Sequence, residues 1–365
     1  MKALFLAGGM GTRLQPLTDN LPKPMVPIMN KPLLERTLLN LKKCGISEVV
    51  ISTCYHPEYI EDYFKNGNTL NLKMDYIVEE SPMGTGGAIK KAEEYFNETF
   101  VVFNADILSD IDLSKMIDFH KTKQALATIA VTEVKDPSMY GVIEYDSNGY
   151  AVTFKEKPKA GETDSKSINA GIYIFEPAIF KEIAADRPVS IEREVFPKLL
   201  EKAEKIGIYQ SGSYWMDIGI IEKYRQTHWD IMNGKCKLVD CNFNSDKISF
   251  GKNVKIHPSS IIIGPAYIGD NTTIGAKVII NHSVIGNNVS IGADSRIMGS
   301  ILWNDVMISK DTRLLDTVVT SSCYEDNDIN LLKTITIIKS LSPNKAASDK
   351  SKILEKIKNE TGKDD

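Results

Sequence analysis

Over the first two thirds of the chain, short apolar runs alternate with stretches whose apolar residues recur at helical spacing. Residues 2–7, 48–53, 73–78, 99–104 and 125–131 have the length and apolar density of strands in a parallel sheet. Between them, residues 32–43, 57–64, 86–95 and 112–121 carry helical periodicity. Such alternation predicts βαβ units with right-handed crossovers and helices on both faces of one sheet. Ligands of these sheets gather at the carboxyl ends of the strands. Ala7-Gly8-Gly9 and Asn104-Ala105-Asp106 fall at two such ends.

Past residue 245 the texture changes to a six-residue rhythm. Ile256, Ile262, Ile268, Ile274 and Ile280 share one phase, and Ile285, Ile291 and Ile297 resume it after a one-residue slip. Gly264, Gly269, Gly275, Gly286 and Gly292 punctuate the run. This period predicts a parallel β-helix, each turn built of three short strands with an apolar residue pointing inward. Its ends expose unpaired edges, so capping or self-association is expected. From residue 331 the rhythm fades: Ile335-Thr336-Ile337-Ile338 reads as a last strand. Residues 342–365 read as a solvated tail, with a frayed helix through Ile353, Leu354 and Ile357. The expected domains are therefore 1–235 and 245–330, with a terminal strand and polar tail over 331–365.

A chain of 365 residues can bury two adjoining cores. Its net charge of −4 gives no basic footprint for nucleic acid. No apolar run is long enough to cross a bilayer, and Met1-Lys2 leads straight into the first strand without a leader pattern. The expectation is a cytoplasmic protein with neither nucleic acid nor membrane as partner. Cys44, Cys54, Cys236, Cys241 and Cys323 are odd in number and contain no C-x-x-C pair. That favours free thiols over a disulfide framework or a zinc site.

The chemistry concentrates in Gly8-Gly9-Met10-Gly11-Thr12-Arg13-Leu14, followed by Leu21-Pro22-Lys23-Pro24-Met25. Glycines here let the backbone turn sharply and aim its N–H groups at an anion. Arg13 can fork around phosphate oxygens, while Lys23 brings a compact charge on a proline-stiffened loop. A dinucleotide fingerprint would need glycine where Leu14 stands, and a Walker loop would need Gly-Lys-Ser/Thr; the chain has neither. A nucleoside triphosphate is the ligand this array suits.

These residues resemble the signature loop of the sugar-1-phosphate nucleotidyltransferases. Within that family the chain is most similar to the mannose-1-phosphate guanylyltransferases. The similarity rests on Glu79-Glu80-Ser81-Pro82-Met83-Gly84-Thr85-Gly86-Gly87, Tyr140-Gly141-Val142, Glu156-Lys157-Pro158, Ile168-Asn169-Ala170-Gly171-Ile172-Tyr173, Ser190-Ile191-Glu192-Arg193-Glu194-Val195-Phe196-Pro197 and Tyr214-Trp215-Met216-Asp217-Ile218-Gly219. The strings run in the family's order and reach about residue 300. The resemblance implies an α/β fold: a Rossmann-like, mixed and mostly parallel nucleotidyltransferase sheet, then a left-handed parallel β-helix. It implies transfer of a nucleotidyl group from a triphosphate to a sugar 1-phosphate, with GTP and mannose 1-phosphate the expected pair. Mg²⁺ is the implied cofactor, and a homo-oligomer formed through the catalytic domain, the β-helix or both is the implied assembly.

The site residues implied are Arg13, Lys23, Asp106 and Asp217 for catalysis, with Asp106 and Asp217 as metal ligands. For the nucleotide they are Leu6, Ala7, Gly8, Gly9, Gly11, Thr12, Arg13, Lys23, Glu79 and Gly84. For the sugar phosphate they are Gly141, Glu156, Lys157, Asn169 and Gly171. Chemistry supports these types: Mg²⁺ takes hard oxygen ligands, and a sugar phosphate is already ionised, so little acid/base catalysis is required. Lys157 suits the phosphate and Glu156 the sugar hydroxyls. Asn169 both donates and accepts, while Gly141 and Gly171 allow backbone to approach the ring.

Each has a plainer reading. An aspartate after a strand is usually a turn former or a cap, and Glu156-Lys157-Pro158 taken by itself looks like an exposed charged turn. Asp110 and Asp112 are explained as caps of a helix starting near Leu113, and Glu192 and Glu194 as residues serving the fold or an oligomer contact. Related thymidylyltransferases carry glutamine at the Glu79 position. Carboxylates only accept, and guanine offers two adjacent donors, so Glu79 suits guanine; Glu80 or backbone near Gly84 are the alternatives. Outside this reading stand a thymidylyl- or uridylyltransferase, a glycosyltransferase, an acyltransferase using His257 or His282, and a non-catalytic sugar-nucleotide-binding regulatory subunit.

Overall fold

The apolar runs lie side by side. In the computed structural model, which describes residues 1–159, 161–238, 241–320 and the backbone of Asn330–Leu332, Phe100–Asn104, Ala3–Ala7, Glu48–Thr53 and Lys73–Val78 form four adjacent parallel strands. Residues on one face of these strands, among them Phe5, Val49 and Val101, pack under Leu34, Leu38 and Leu41 of the helix Leu33–Lys43 and under Leu113 and Met116 of the helix Leu113–Lys123. Their neighbours Leu4, Val50 and Val102 point the other way and meet Ile89, Phe196 and Leu199. Alternation of side chains along a strand thus fills two cores from one sheet.

The run expected at 125–131 behaves differently. It is Ala127–Glu133, and it pairs antiparallel with the long strand Ser167–Phe175 and parallel with Ile206–Gln210. Ser167–Phe175 also lies antiparallel to Phe100–Asn104, and its start meets the hairpin Gly141–Tyr145 and Ala151–Glu156. The result is one mixed sheet of nine strands. Pairing shifts between Asn169 and Tyr173, where Gly171 sits at φ +68. The Asn169 side chain spans this bulge, accepting from Gly171 N at 2.9 Å and donating to Tyr173 Oη at 2.8 Å.

Two local expectations are corrected. The helix expected at 86–95 is Gly84–Lys91 followed by a separate turn at Glu93–Tyr95, because its first turn is set by the Val189 carbonyl accepting from the Gly86 and Gly87 N–H groups. Asp112 does cap its helix, through Lys115 N at 3.1 Å, but Asp110 ties Tyr214 N and Lys237 N at 2.7 and 2.9 Å instead. A further helix, Ile221–Met232, follows the Asp217 segment. Among the described residues no helix is long and apolar enough to cross a membrane, and Cys44, Cys54 and Cys236 are free thiols.

Residues after Cys241 form a second unit, a left-handed parallel β-helix of three stacked sheets with five, four and five strands. Ile268, Ile274, Ile280, Ile285, Ile291 and Ile297 line its core, and Leu302, Ile308, Leu314 and Val319 continue the phase. Stacked partners are 17 or 18 residues apart, so the slip between Ile280 and Ile285 recurs one turn later between Ile297 and Leu302. Ile256 departs from expectation: it lies on the edge strand of its sheet and is 38% exposed. At one corner Asn253, Asn271 and Asn288 each donate to the next, ending on Asp305, at 2.9 to 3.2 Å. All four have positive φ, a conformation that asparagine and aspartate tolerate best among side-chain residues. The strand expected at 335–338 and the tail at 342–365 lie outside the described residues.

His228, on the last helix of the first unit, is fully buried, its Nδ1 bonded to the Tyr224 carbonyl at 2.9 Å and its Nε2 accepting from Met29 N at 3.2 Å. Burial pushes its pKa down to about 4. The unfolded chain protonates near 6.5, so between these values it binds more protons than the fold, and stability falls as pH drops. About 3 kcal/mol should be lost from pH 7 to 4 through this group. Urea unfolding followed by tryptophan fluorescence should show a shallower pH dependence in His228→Gln; an unchanged dependence would remove His228 as the cause.

Candidate active site

Carboxyl ends of the four parallel strands deliver Ala7-Gly8-Gly9, Cys54, Glu79 and Asn104-Ala105-Asp106 to one edge. Gly11 sits at φ +66, and a Cβ there would press on Thr18 and Lys23 at 3.1 and 3.2 Å. A Cβ on Gly9 would meet nothing within 4 Å, so its backbone faces open space. Leu6, Ala7, Gly8, Gly9, Lys23, Glu79, Gly84 and Asp106 all line one cavity of about 280 Å³. Gly11 and Thr12 instead form the turn behind the loop, with Thr18 Oγ1 donating to the Gly11 carbonyl at 2.9 Å. Arg13 is exposed and reaches toward the Asp217 segment: its Nη2 would lie 3.3 Å from a Cβ on Gly219.

Lys23 is 6% exposed, and its Nζ lies 2.6 Å from Asp106 Oδ2 and 3.6 Å from Asp217 Oδ1. A short antiparallel pair, Ile107–Ser109 with Trp215–Asp217, fixes the two aspartates beside each other, and Ile218 N donates to the Asp106 carbonyl at 3.1 Å. Asp217 Oδ1 and Asn104 Oδ1 are buried acceptors without a hydrogen-bond partner among the described residues. Burying such atoms is costly unless a donor or cation meets them. Two carboxylates with an orphaned amide oxygen are a hard-oxygen set, so these residues fit a magnesium ion that keeps phosphate and water as its other ligands.

Glu79 is 5% exposed and held at both oxygens: Oε1 accepts from Ser52 Oγ at 2.7 Å and Oε2 from Met83 N at 2.9 Å. Adjacent parallel strands place Ser52 opposite Ile77, which brings its hydroxyl within reach. A carboxylate has further lone pairs beyond these two bonds. Gly8 passes so close that a Cβ there would be 3.2 Å from Oε1, and Gly84, at φ +71, abuts the Val189 carbonyl.

On the hairpin side, Gly141 pairs with Glu156, and a Cβ on it would strike Phe154 and Glu156 Oε2 at 2.7 and 2.9 Å. Gly171 is likewise required within the protein, since a Cβ there would collide with Ile107 and Asn104. Burial raises the Glu156 pKa, and the charge of Glu192 raises it further. Lys157 is exposed at φ +52, its N–H donating to the Tyr140 carbonyl at 2.9 Å. Asn169 belongs to this side but has both ends of its amide committed to the bulge.

The Nucleotidyl transferase family pattern matches residues 2–234. The chain belongs to that family. Residues 247–282 also match the Bacterial transferase hexapeptide (six repeats) pattern. This nucleotidyl transferase is 37% identical to a mannose-1-phosphate guanylyltransferase of Mycobacterium tuberculosis, over 75% of this chain and 76% of that protein. It is 35% identical to a UTP–glucose-1-phosphate uridylyltransferase of Synechocystis, over 76% of each. HddC from Yersinia pseudotuberculosis, solved in complex with GMP-PN, superposes at a TM-score of 0.55 with 33% identity, covering 63% of this chain and 99% of that one.

The fold shows the surroundings of two residues that the sequence alone does not. Glu192, read as serving the fold or an oligomer, faces Glu156 and accepts from Thr85 Oγ1 at 2.7 Å, Ser190 Oγ at 2.8 Å and Tyr173 Oη at 3.4 Å. Its signal was present in the Ser190-to-Pro197 string, whose first turn is a wide π-helical one at Ile191–Val195. Asn104 was visible only as a strand end. Replacing Lys23 by methionine should leave two carboxylates facing each other without their ammonium and lower kcat/KM by about 10²- to 10³-fold. Steady-state pyrophosphate release measures this; a loss under tenfold would show that Lys23 only pins the loop.

Proposed function

We propose that this nucleotidyl transferase makes GDP-mannose, joining GTP to mannose 1-phosphate with release of pyrophosphate. The observation that carries the reading is the Lys23 ammonium set between Asp106 and Asp217 at the mouth of a glycine-lined cavity. In the reaction an oxygen of the sugar phosphate bonds to the α-phosphorus while the bond to the β-phosphate oxygen breaks. Both reactants are anions, so the residues needed are those that cancel charge and align the partners. Asp106 and Asp217 would hold Mg²⁺, which when bound supplies Lewis-acid neutralisation at the phosphates. Lys23 and Arg13 supply fixed positive charge to the triphosphate from the loop. Glycine N–H groups after the first strand add further donors.

Glu79 supports guanine. Its carboxylate is pinned by Ser52 and Met83, accepts only, and lines the cavity, which suits the N1–H and exocyclic amine of guanine. The mannose-1-phosphate guanylyltransferase relative and the GMP-PN held by HddC support the same base. Glu156, Lys157 and the Asn169–Gly171 bulge form the wall offered to the sugar phosphate. A cytoplasmic setting and a homo-oligomer complete the reading; exposed Ile261 and Ile263 on the β-helix support self-association.

Pyrophosphate release across GTP, UTP, dTTP, ATP and CTP with mannose, glucose and heptose 1-phosphates tests the proposal. GTP with mannose 1-phosphate should exceed every other pair by at least about tenfold, and chelation of divalent ions should abolish the rate. UTP with glucose 1-phosphate as the best pair would overturn it. Glu79→Gln should shrink the preference for GTP over UTP by about tenfold; an unchanged preference would take Glu79 out of base selection.

A further inference from the structure

Lys223 borders the carboxylate pair at Asp217, from a stretch far in sequence from the glycine loop. It stands in the first turn of the helix Ile221–Met232, its side chain 31% exposed, its Nζ 3.7 Å from Asp217 Oδ2. It donates a hydrogen bond to the Tyr140 hydroxyl and lies 4.9 Å from the centre of that ring. An ammonium has three N–H donors, and among the described residues the Tyr140 hydroxyl is its one hydrogen-bond partner. With the Asp217 carboxylate also 3.7 Å away, at least one donor is left for something outside the protein.

Its surroundings say what that something is. Asp217 is shared: one oxygen faces Lys23 and the other faces Lys223. Tyr140 is packed edge-on against Trp215 at 5.7 Å, and Trp215 Nε1 donates to the Ala170 carbonyl at 2.9 Å, beside the Asn169–Gly171 bulge. The Tyr140 carbonyl holds the backbone of Lys157, and the next residue, Gly141, pairs with Glu156. Lys223 thus sits where the carboxylate pair of the nucleotide side joins the hairpin of the sugar side. The group that must occupy that join is the phosphate of the sugar 1-phosphate, because its oxygen has to reach the α-phosphorus.

We infer that Lys223 is a phosphate-binding residue for the sugar 1-phosphate, acting from the helix Ile221–Met232 in addition to Lys157, with Tyr140 aiming its ammonium. This rests on the nucleotidyl-transfer reading and adds a second cation to the acceptor side. It also gives Asp217 two tasks, a metal carboxylate at one oxygen and a tether for Lys223 at the other. A desolvated charge-assisted contact to phosphate is strong enough to dominate acceptor affinity.

The test is steady-state kinetics of the full chain with GTP and mannose 1-phosphate, alongside melting temperature. Lys223→Met should raise KM for mannose 1-phosphate by about tenfold or more while KM for GTP stays within about twofold, and Lys223→Arg should recover part of the loss. Tyr140→Phe, which keeps the ammonium but frees it, should raise the same KM by about threefold. If the methionine variant melts below the assay temperature, Lys223→Gln, which retains a donor for Tyr140, carries the same comparison. Equal changes in both KM values, or no change in either, would overturn the assignment and leave Lys223 as a helix-packing residue. Wild-type protein that releases no pyrophosphate with any pair would sink the nucleotidyl-transfer reading, and this assignment with it.

Discussion

One ammonium between two carboxylates organises the catalytic unit. Lys23, Asp106 and Asp217 come from three distant parts of the chain, and each is held by backbone that has other reasons to be where it is: Lys23 by a proline-flanked turn, Asp106 by the end of a central strand, Asp217 by a short ladder with Ile107–Ser109. Apart, the two aspartates would repel and the lysine would be a desolvated charge. Together they neutralise one another, while buried oxygens of Asp217 and Asn104 keep no hydrogen-bond partner among the described residues. A cluster nearly balanced by itself but short of cations at its acceptor oxygens is suited to taking up a metal–triphosphate complex.

That cluster is the meeting point of the site's two halves. On one side the parallel strands end in glycine and in Glu79, whose carboxylate is held by a hydroxyl and a backbone N–H so that its direction is set by the protein itself. On the other side stand the bulge in Ser167–Phe175, the Tyr140–Trp215 contact and the Glu156–Glu192 pair, the wall proposed for the sugar phosphate. The glycines at 141 and 171 serve that wall indirectly: their missing side chains let Phe154, Glu156, Ile107 and Asn104 pack close. The conformational freedom of these glycines thus serves to position their neighbours' side chains.

The β-helix follows a different logic. Its stability is a stack of near-identical turns, each contributing one inward apolar residue per side and repeating the same asparagine or aspartate corner. Its described core is apolar, and His257 is exposed and bonded to Ser259.

Local pattern alone determined much of this protein. Strand and helix alternation, the glycine loop with Arg13 and Lys23, and the hexad isoleucines are properties of neighbours in sequence, and periodicity registers them directly. What the tertiary structure decided is everything that depends on which strands pair. The antiparallel insertion of Ser167–Phe175, the two bonds that hold Glu79, the placing of Glu192 against Glu156 and the reach of Lys223 to Tyr140 all join residues tens of positions or more apart, or set a direction that composition does not encode. Asp110 read as a helix cap, and the partners of Glu192 went unread, because burial and partner identity are long-range quantities. A charge shows its role only when the chain has folded enough to say what surrounds it.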